Sequence, residues 1–172
     1  MVSFTGSVPG GGAMAAAAAP TIKRVHQELG GKSPNVILPD ADFREAIPKG
    51  VFVCMMNAGQ TCAAPTRMIV PEDRFEEAAA IAVEAAENLI VGPPDQQGMT
   101  FSPLSNEAQF ARVNAILEQA IAEGQPLLTG GPGRPEHLDT GYYARPTVFG
   151  PVDPDARIAR EEIFGPVLCL QT

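Results

Sequence analysis

The chain has no tryptophan, two tyrosines and two histidines, and its three cysteines, Cys54, Cys62 and Cys169, form no CxxC pair. An odd and scattered set of thiols makes a poor disulfide framework. With His26 and His137 as the only imidazoles, it makes a poor zinc site as well. That cysteine usage fits a reducing, cytoplasmic setting. Positive charge is also scarce: 12 Lys and Arg stand against 20 Asp and Glu, a formal net charge of −8. No basic cluster offsets this locally, so a nucleic acid or an anionic membrane is not the expected partner. Long apolar runs are missing too. "MVSFTG" lacks the basic-then-apolar pattern of a signal peptide, and Ala15 to Ala19 is far too short to span a bilayer.

What is present reads as an ordinary globular chain. Of 172 residues, 45% are hydrophobic and 19% charged, which is not the composition of a disordered chain and allows one good core. Short strands are expected over Val2–Thr5, Lys23–Glu28, Asn35–Leu38, Arg67–Val70, Leu127–Thr129 and Val167–Leu170. Tyr143–Phe149 contains Pro146 and is expected at a sheet edge. Helices are expected from Gly6-Ser7 to about Ala19, from Asp42 to about Met56, over Glu72–Leu89 and over Asn106–Glu123, with a short one in "DPDARIAREE". In the third, Phe75, Ala78, Ala79, Ala82, Ala85, Ala86 and Leu89 form one apolar stripe, ended by "VGPPDQQG". In the fourth, Phe110, Val113, Leu117, Ala120 and Ile121 face inward. Alternation of the two element types points to an α/β sheet. Both ends read as interrupted strands, the expectation for a piece of something larger.

Four stretches carry chemistry. "FTGSVPGGG" puts glycines at a strand-to-helix junction, where free N–H groups suit a phosphate and Ser7 can cap the helix. Taken alone, a glycine-loosened helix start is the simpler account. "HQELGGKSPN" places Glu28 at a strand end before a Gly30-Gly31 turn. Partial burial would make that carboxylate a general base, while full exposure would leave an ordinary surface acid. "NAGQTCAAPTR" sets Cys62 among small residues that leave room above the sulfur for a reacting carbon. A lone cysteine is more often packing, which is the expectation for Cys54 in "VFVCMM" and Cys169 in "VLCLQ", with Met55 and Met56 in the core. "EEIFGPV" presents Glu162 and Phe164 at a sharp turn, a carboxylate for sugar hydroxyls beside an aromatic face, or simply a helix end and a turn.

In this order and spacing, "FTGS" with Gly11, "ELGGKSPN", "NAGQTCAAPTR", "GYYARPTVF" and "EEIFGPV" resemble the NAD(P)-dependent aldehyde dehydrogenase superfamily from the first residues to the last. The resemblance implies a truncated aldehyde dehydrogenase-like α/β fold. Residues 1–29 would be the end of a Rossmann-type dinucleotide-binding domain, and 30–172 an incomplete catalytic domain. It implies that Cys62 is the nucleophile and Glu28 the base that activates water for thioester hydrolysis. It implies that Gly6, Ser7 and Gly11 meet the pyrophosphate of NAD or NADP, that the Leu29 carbonyl lies beside the nicotinamide amide, and that Glu162 and Phe164 hold the nicotinamide ribose and ring. The substrate would be a small-molecule aldehyde, and a full-length relative would be a homodimer or homotetramer. Weak nucleotide binding and poor turnover are expected of the piece alone. Two alternatives stay open: an inactive fragment, and a cysteine hydrolase or thioesterase that uses Cys62 with Glu28 and no nucleotide.

Overall fold

The structure is a computed structural model that describes residues 1–95 and 97–172. Gln96, inside the helix-ending "VGPPDQQG", lies outside the described residues. The chain divides into two compact units, Met1–Gly31 and Lys32–Thr172.

In the first unit, β1 (Val2–Gly6) runs parallel to β2 (Val25–Leu29), with Thr5 opposite Glu28 and Gly6 opposite Leu29. Parallel pairing needs a crossover, here α1 (Val8–Ala18). A single turn of tighter helix, Ala19–Thr21, follows it, and Pro20 stops the run as expected. Alanine favours helix by propensity alone, so α1 forms although few of its side chains are buried.

The second unit is built on a sheet in the order β3-β4-β7-β6-β5. Its strands are β3 (Pro34–Val36), β4 (Arg67–Ile69), β5 (Leu127–Thr129), β6 (Thr147–Phe149) and β7 (Val167–Gln171). All neighbours are parallel except β5 with β6. One row of the register reads Pro34, Arg67, Cys169, Phe149. Every residue of the central strand β7 is buried, as expected of a parallel strand covered on both faces. The helices are α2 (Phe43–Met55), α3 (Phe75–Glu87), α4 (Glu107–Ala122) and the short α5 (Arg157–Arg160). Helix α2 packs on β7 and α3, and α3 packs on β5 and β6. Asp42 caps α2 by accepting from the Arg44 N–H at 3.0 Å, and Asn106 caps α4 by accepting from Gln109 N at 2.9 Å.

The α/β class and the order of elements are as the sequence implies, with four local corrections. β6 is an interior strand, fully buried between β7 and β5, not an edge. Pro146 stands just before it, where its missing N–H costs no ladder bond. The helix expected from Glu72 begins at Phe75, after a tight turn at Glu72–Arg74. Ile121 is 42% exposed, because Ile116 and Leu117 carry the buried stripe of α4. Met56 is 45% exposed while Met55 is fully buried, since the helix ends between them.

One buried group stands out. The Lys32 Nζ is buried with no hydrogen-bond partner among the described residues. Its carbonyl accepts from the Arg67 Nε at 2.9 Å, which ties the segment before β3 to β4. Desolvation lowers the Lys32 pKa, and the nearby Cys169 and Cys54 thiols only partly oppose this. Burial likewise pushes Cys54 up to about 12 and raises Cys169, so both thiols stay protonated. A lysine with a depressed folded pKa costs stability below that pKa, because the unfolded chain binds the proton better. The cost fades as pH climbs toward 10.5. Lys32→Met keeps the apolar stem and removes the orphaned amine. We expect it to raise the melting temperature at neutral pH by about 2–4 °C, with the gain shrinking in alkaline buffer. Calorimetry across pH checks both.

Candidate active site

The sequence-predicted residues fall into two groups, one in each unit. In the first unit, Ser7 caps α1: its Oγ accepts from the Gly10 N–H at 3.3 Å, and its carbonyl accepts from Gly11 N at 2.9 Å. Gly6 and Ser7 are exposed, so the helix start is open to solvent. Gly11 is buried for a packing reason. A Cβ there would stand 2.7 Å from the Leu29 side chain, and the Gln27 amide donates to its carbonyl at 2.5 Å. That contact fixes α1 against the end of β2, one residue from Glu28. Glu28 is itself exposed, so the partial burial that would make it a base is not provided by the strand pair. The glycine turn and the candidate base thus share one strand–helix–strand unit.

In the second unit, α2 runs out at Met56 and the backbone enters left-handed geometry at Asn57 (φ 54°), Ala58 (φ 55°) and Gly59 (φ 68°). Only glycine fits the third position: a Cβ on Gly59 would lie 2.0 Å from the Gly165 carbonyl oxygen. Reciprocal bonds close the turn, from Asn57 Nδ2 to the Gln60 carbonyl at 3.0 Å and from Gln60 Nε2 to the Asn57 carbonyl at 3.1 Å. The Gln60 Oε1 accepts from Ser105 N at 2.8 Å, which anchors the turn to the segment before α4. Cys62 follows in a turn closed by Ala64 N donating to the Thr61 carbonyl. Its thiol is exposed, whereas Cys54 and Cys169 are buried and donate to the carbonyls of Val167 and Ile158.

The "EEIFGPV" turn meets this one at Gly165, three residues after Glu162 and one after Phe164. Phe164 is 36% exposed and has φ 57°, a backbone that a bulky residue rarely adopts. Two residues of α4 hold it there. Gln109 Nε2 donates to the Ile163 carbonyl at 3.0 Å and the Phe164 carbonyl at 2.8 Å. The Arg112 guanidinium donates to the carbonyls of Ile163 at 2.7 Å and Glu162 at 2.8 Å, and to the Glu161 carboxylate at 2.9 Å. Glu161 also pairs with Arg157, whose hydrogen bond, aided by Arg112, holds it below the usual carboxylate range. Sequence reasoning passed over Gln60, Gln109 and Arg112. The i, i+3 spacing of the last two, which puts them on one helix face, was the available signal. His137 Nε2 lies within hydrogen-bond distance of the Val91 carbonyl, at 2.9 Å. An open cleft of about 480 Å³ on α4, lined by Phe110, Arg134 and Tyr142, includes none of the predicted residues.

Comparison with known proteins comes down on one family. The sequence model of the Aldehyde dehydrogenase family matches residues 1–172. A 3-succinoylsemialdehyde-pyridine dehydrogenase from Pseudomonas sp is 47% identical over 99% of this chain and 36% of its own length. Among solved structures, a mutant of aldehyde dehydrogenase C from Pseudomonas syringae, in complex with NAD+ and octanal, superposes with a TM-score of 0.97. It is 55% identical over 99% of this chain and 35% of its own. An aldehyde dehydrogenase from Mycobacterium tuberculosis with NAD+ gives 0.95 and 44%, over 98% and 35%. The chain therefore spans about a third of the length of the relatives it matches.

Exposure predicts reactivity. Iodoacetamide at neutral pH is expected to modify Cys62 in the native chain and to reach Cys54 and Cys169 only in denaturant, read by peptide mass spectrometry. Gly59→Ala forces both a left-handed alanine and a backbone overlap, and is expected to cost at least ~2 kcal/mol in urea unfolding.

Proposed function

The chain belongs to the aldehyde dehydrogenase family, and from that premise we propose that it supplies the nucleophile and the water-activating base for oxidation of an aldehyde to a carboxylic acid with NAD or NADP. The observation that carries the reading is the selective exposure of Cys62 on a braced turn, with the other two thiols buried. Residues 1–29 act as the closing part of the dinucleotide-binding domain and 30–172 as the nucleophile-bearing domain.

The Cys62 thiolate adds to the carbonyl carbon, and the adduct's oxygen is the point where negative charge develops. Covalent attachment divides one hard oxidation into easier stages. NAD(P), when bound, supplies the acceptor for the hydride that this adduct loses on becoming a thioester. Glu28 then takes a proton from water as it attacks the thioester, which frees the acid and returns the thiol. The role given to Glu28 rests on the "ELGGKSPN" motif and on its place at the end of β2. The residues fit the cofactor in kind. Ser7 and the exposed start of α1 suit a pyrophosphate, and a Cβ at Gly12 would meet nothing within 4 Å. Leu29 offers a strand-end carbonyl for the amide, Glu162 a carboxylate for ribose hydroxyls, and Phe164 an exposed ring for the nicotinamide side. A small-molecule aldehyde is the substrate class, in keeping with the dehydrogenase names printed for the relatives.

An activated ester and an aldehyde with NAD+ separate the steps. Cys62→Ala is expected to remove acyl-enzyme from the mass spectrum altogether. Glu28→Gln is expected to leave acylation intact and slow deacylation by roughly 10²–10⁴-fold. Acylation that persists without Cys62, or deacylation indifferent to Glu28, refutes the assignment. Acylation without any reduced nicotinamide supports a hydrolase instead.

A further inference from the structure

Phe164 keeps a left-handed backbone, a costly conformation for a bulky residue, while remaining 36% exposed to solvent. Something must impose it. The ring of acceptors around the turn is served almost entirely from one helix face: the carbonyls of Glu162, Ile163 and Phe164 and the Glu161 carboxylate all accept from Gln109 or Arg112 of α4. Arg112 reaches three of these four residues with one planar, rigid fork. On the other side, Gly165 abuts Gly59, so the turn cannot relax toward the cysteine turn. Arg112 thus holds both adjacent acids: Glu161 through an ion pair that it shares with Arg157, and Glu162 through its carbonyl.

The geometry points to Arg112 as a positioning residue that holds the Glu161–Gly165 turn so that Glu162 and Phe164 are presented together. This rests on the cofactor role proposed above for those two side chains, but the positioning itself can be read without cofactor. The chain has no tryptophan, so F164W installs a single fluorescent reporter in the turn. In F164W/R112A we expect reporter anisotropy to fall toward that of a freely rotating side chain, and amide exchange over 161–165 to speed up about tenfold or more. The melting temperature should stay near that of F164W alone. F164W/R112K, with charge but no fork, should recover only part of the anisotropy. An unchanged reporter in F164W/R112A, full recovery with lysine, or loosening that merely tracks a lowered melting temperature overturns the proposal. Nicotinamide mononucleotide tests the underlying reading separately. If it fails to quench the F164W reporter while the Arg112 dependence holds, positioning stands and the ring contact to cofactor falls.

Discussion

Where Gly59 meets Gly165, two backbones touch with no side chain between them, and a single added carbon would sit 2.0 Å from a carbonyl oxygen. The rest of the second unit is arranged to make that approach possible. Helix α2 ends at Met55, because Met56 leaves helical geometry and the three left-handed residues after it turn the chain onto Gly165. The Asn57–Gln60 exchange of amide bonds stabilises the turn, and the bond from Ser105 keeps it against the segment leading into α4. Cys62 is exposed in consequence: the turn delivers it to the surface three residues beyond the contact.

The same contact explains why α4 matters more than its amphipathic pattern suggests. Its buried side, Val113, Ile116, Leu117 and Ala120, serves the core. Its Gln109 and Arg112 serve the turn beyond Gly165. One helix therefore answers to two constraints, hydrophobic packing and the geometry of a loop some fifty residues away in sequence. Hydrogen bonds from a charged group to carbonyls are among the stronger kind, which suits a loop that stores backbone strain.

Much of this was legible in the residues. The alternation of strands and helices, the glycine junction after β1, the lone small-flanked cysteine and the paired acids before Gly-Pro all stand where local pattern places them. What was not legible depended on long-range packing. Pro146 suggested an edge strand, yet the strand begins one residue later and lies deep in the sheet. Ile121 fits the helical stripe by spacing, but α4 is rotated so that Ile116 takes the buried place. Met56 looked like core because its neighbour is, and the helix ends between the two. Gln109 and Arg112 were invisible as a clamp because their acceptors are carbonyls, and the sequence of a turn does not say where its carbonyls point.

Under the proposed role of Phe164, the left-handed residue at position 164 sets stability and utility against one another. Glycine, free of the steric clash that phenylalanine suffers at φ 57°, would sit there more comfortably. A laboratory selection for heat tolerance alone would therefore reward trimming this side chain, and would erase the aromatic surface in doing so. The turn is a place where a sturdier protein and a more capable one call for different letters.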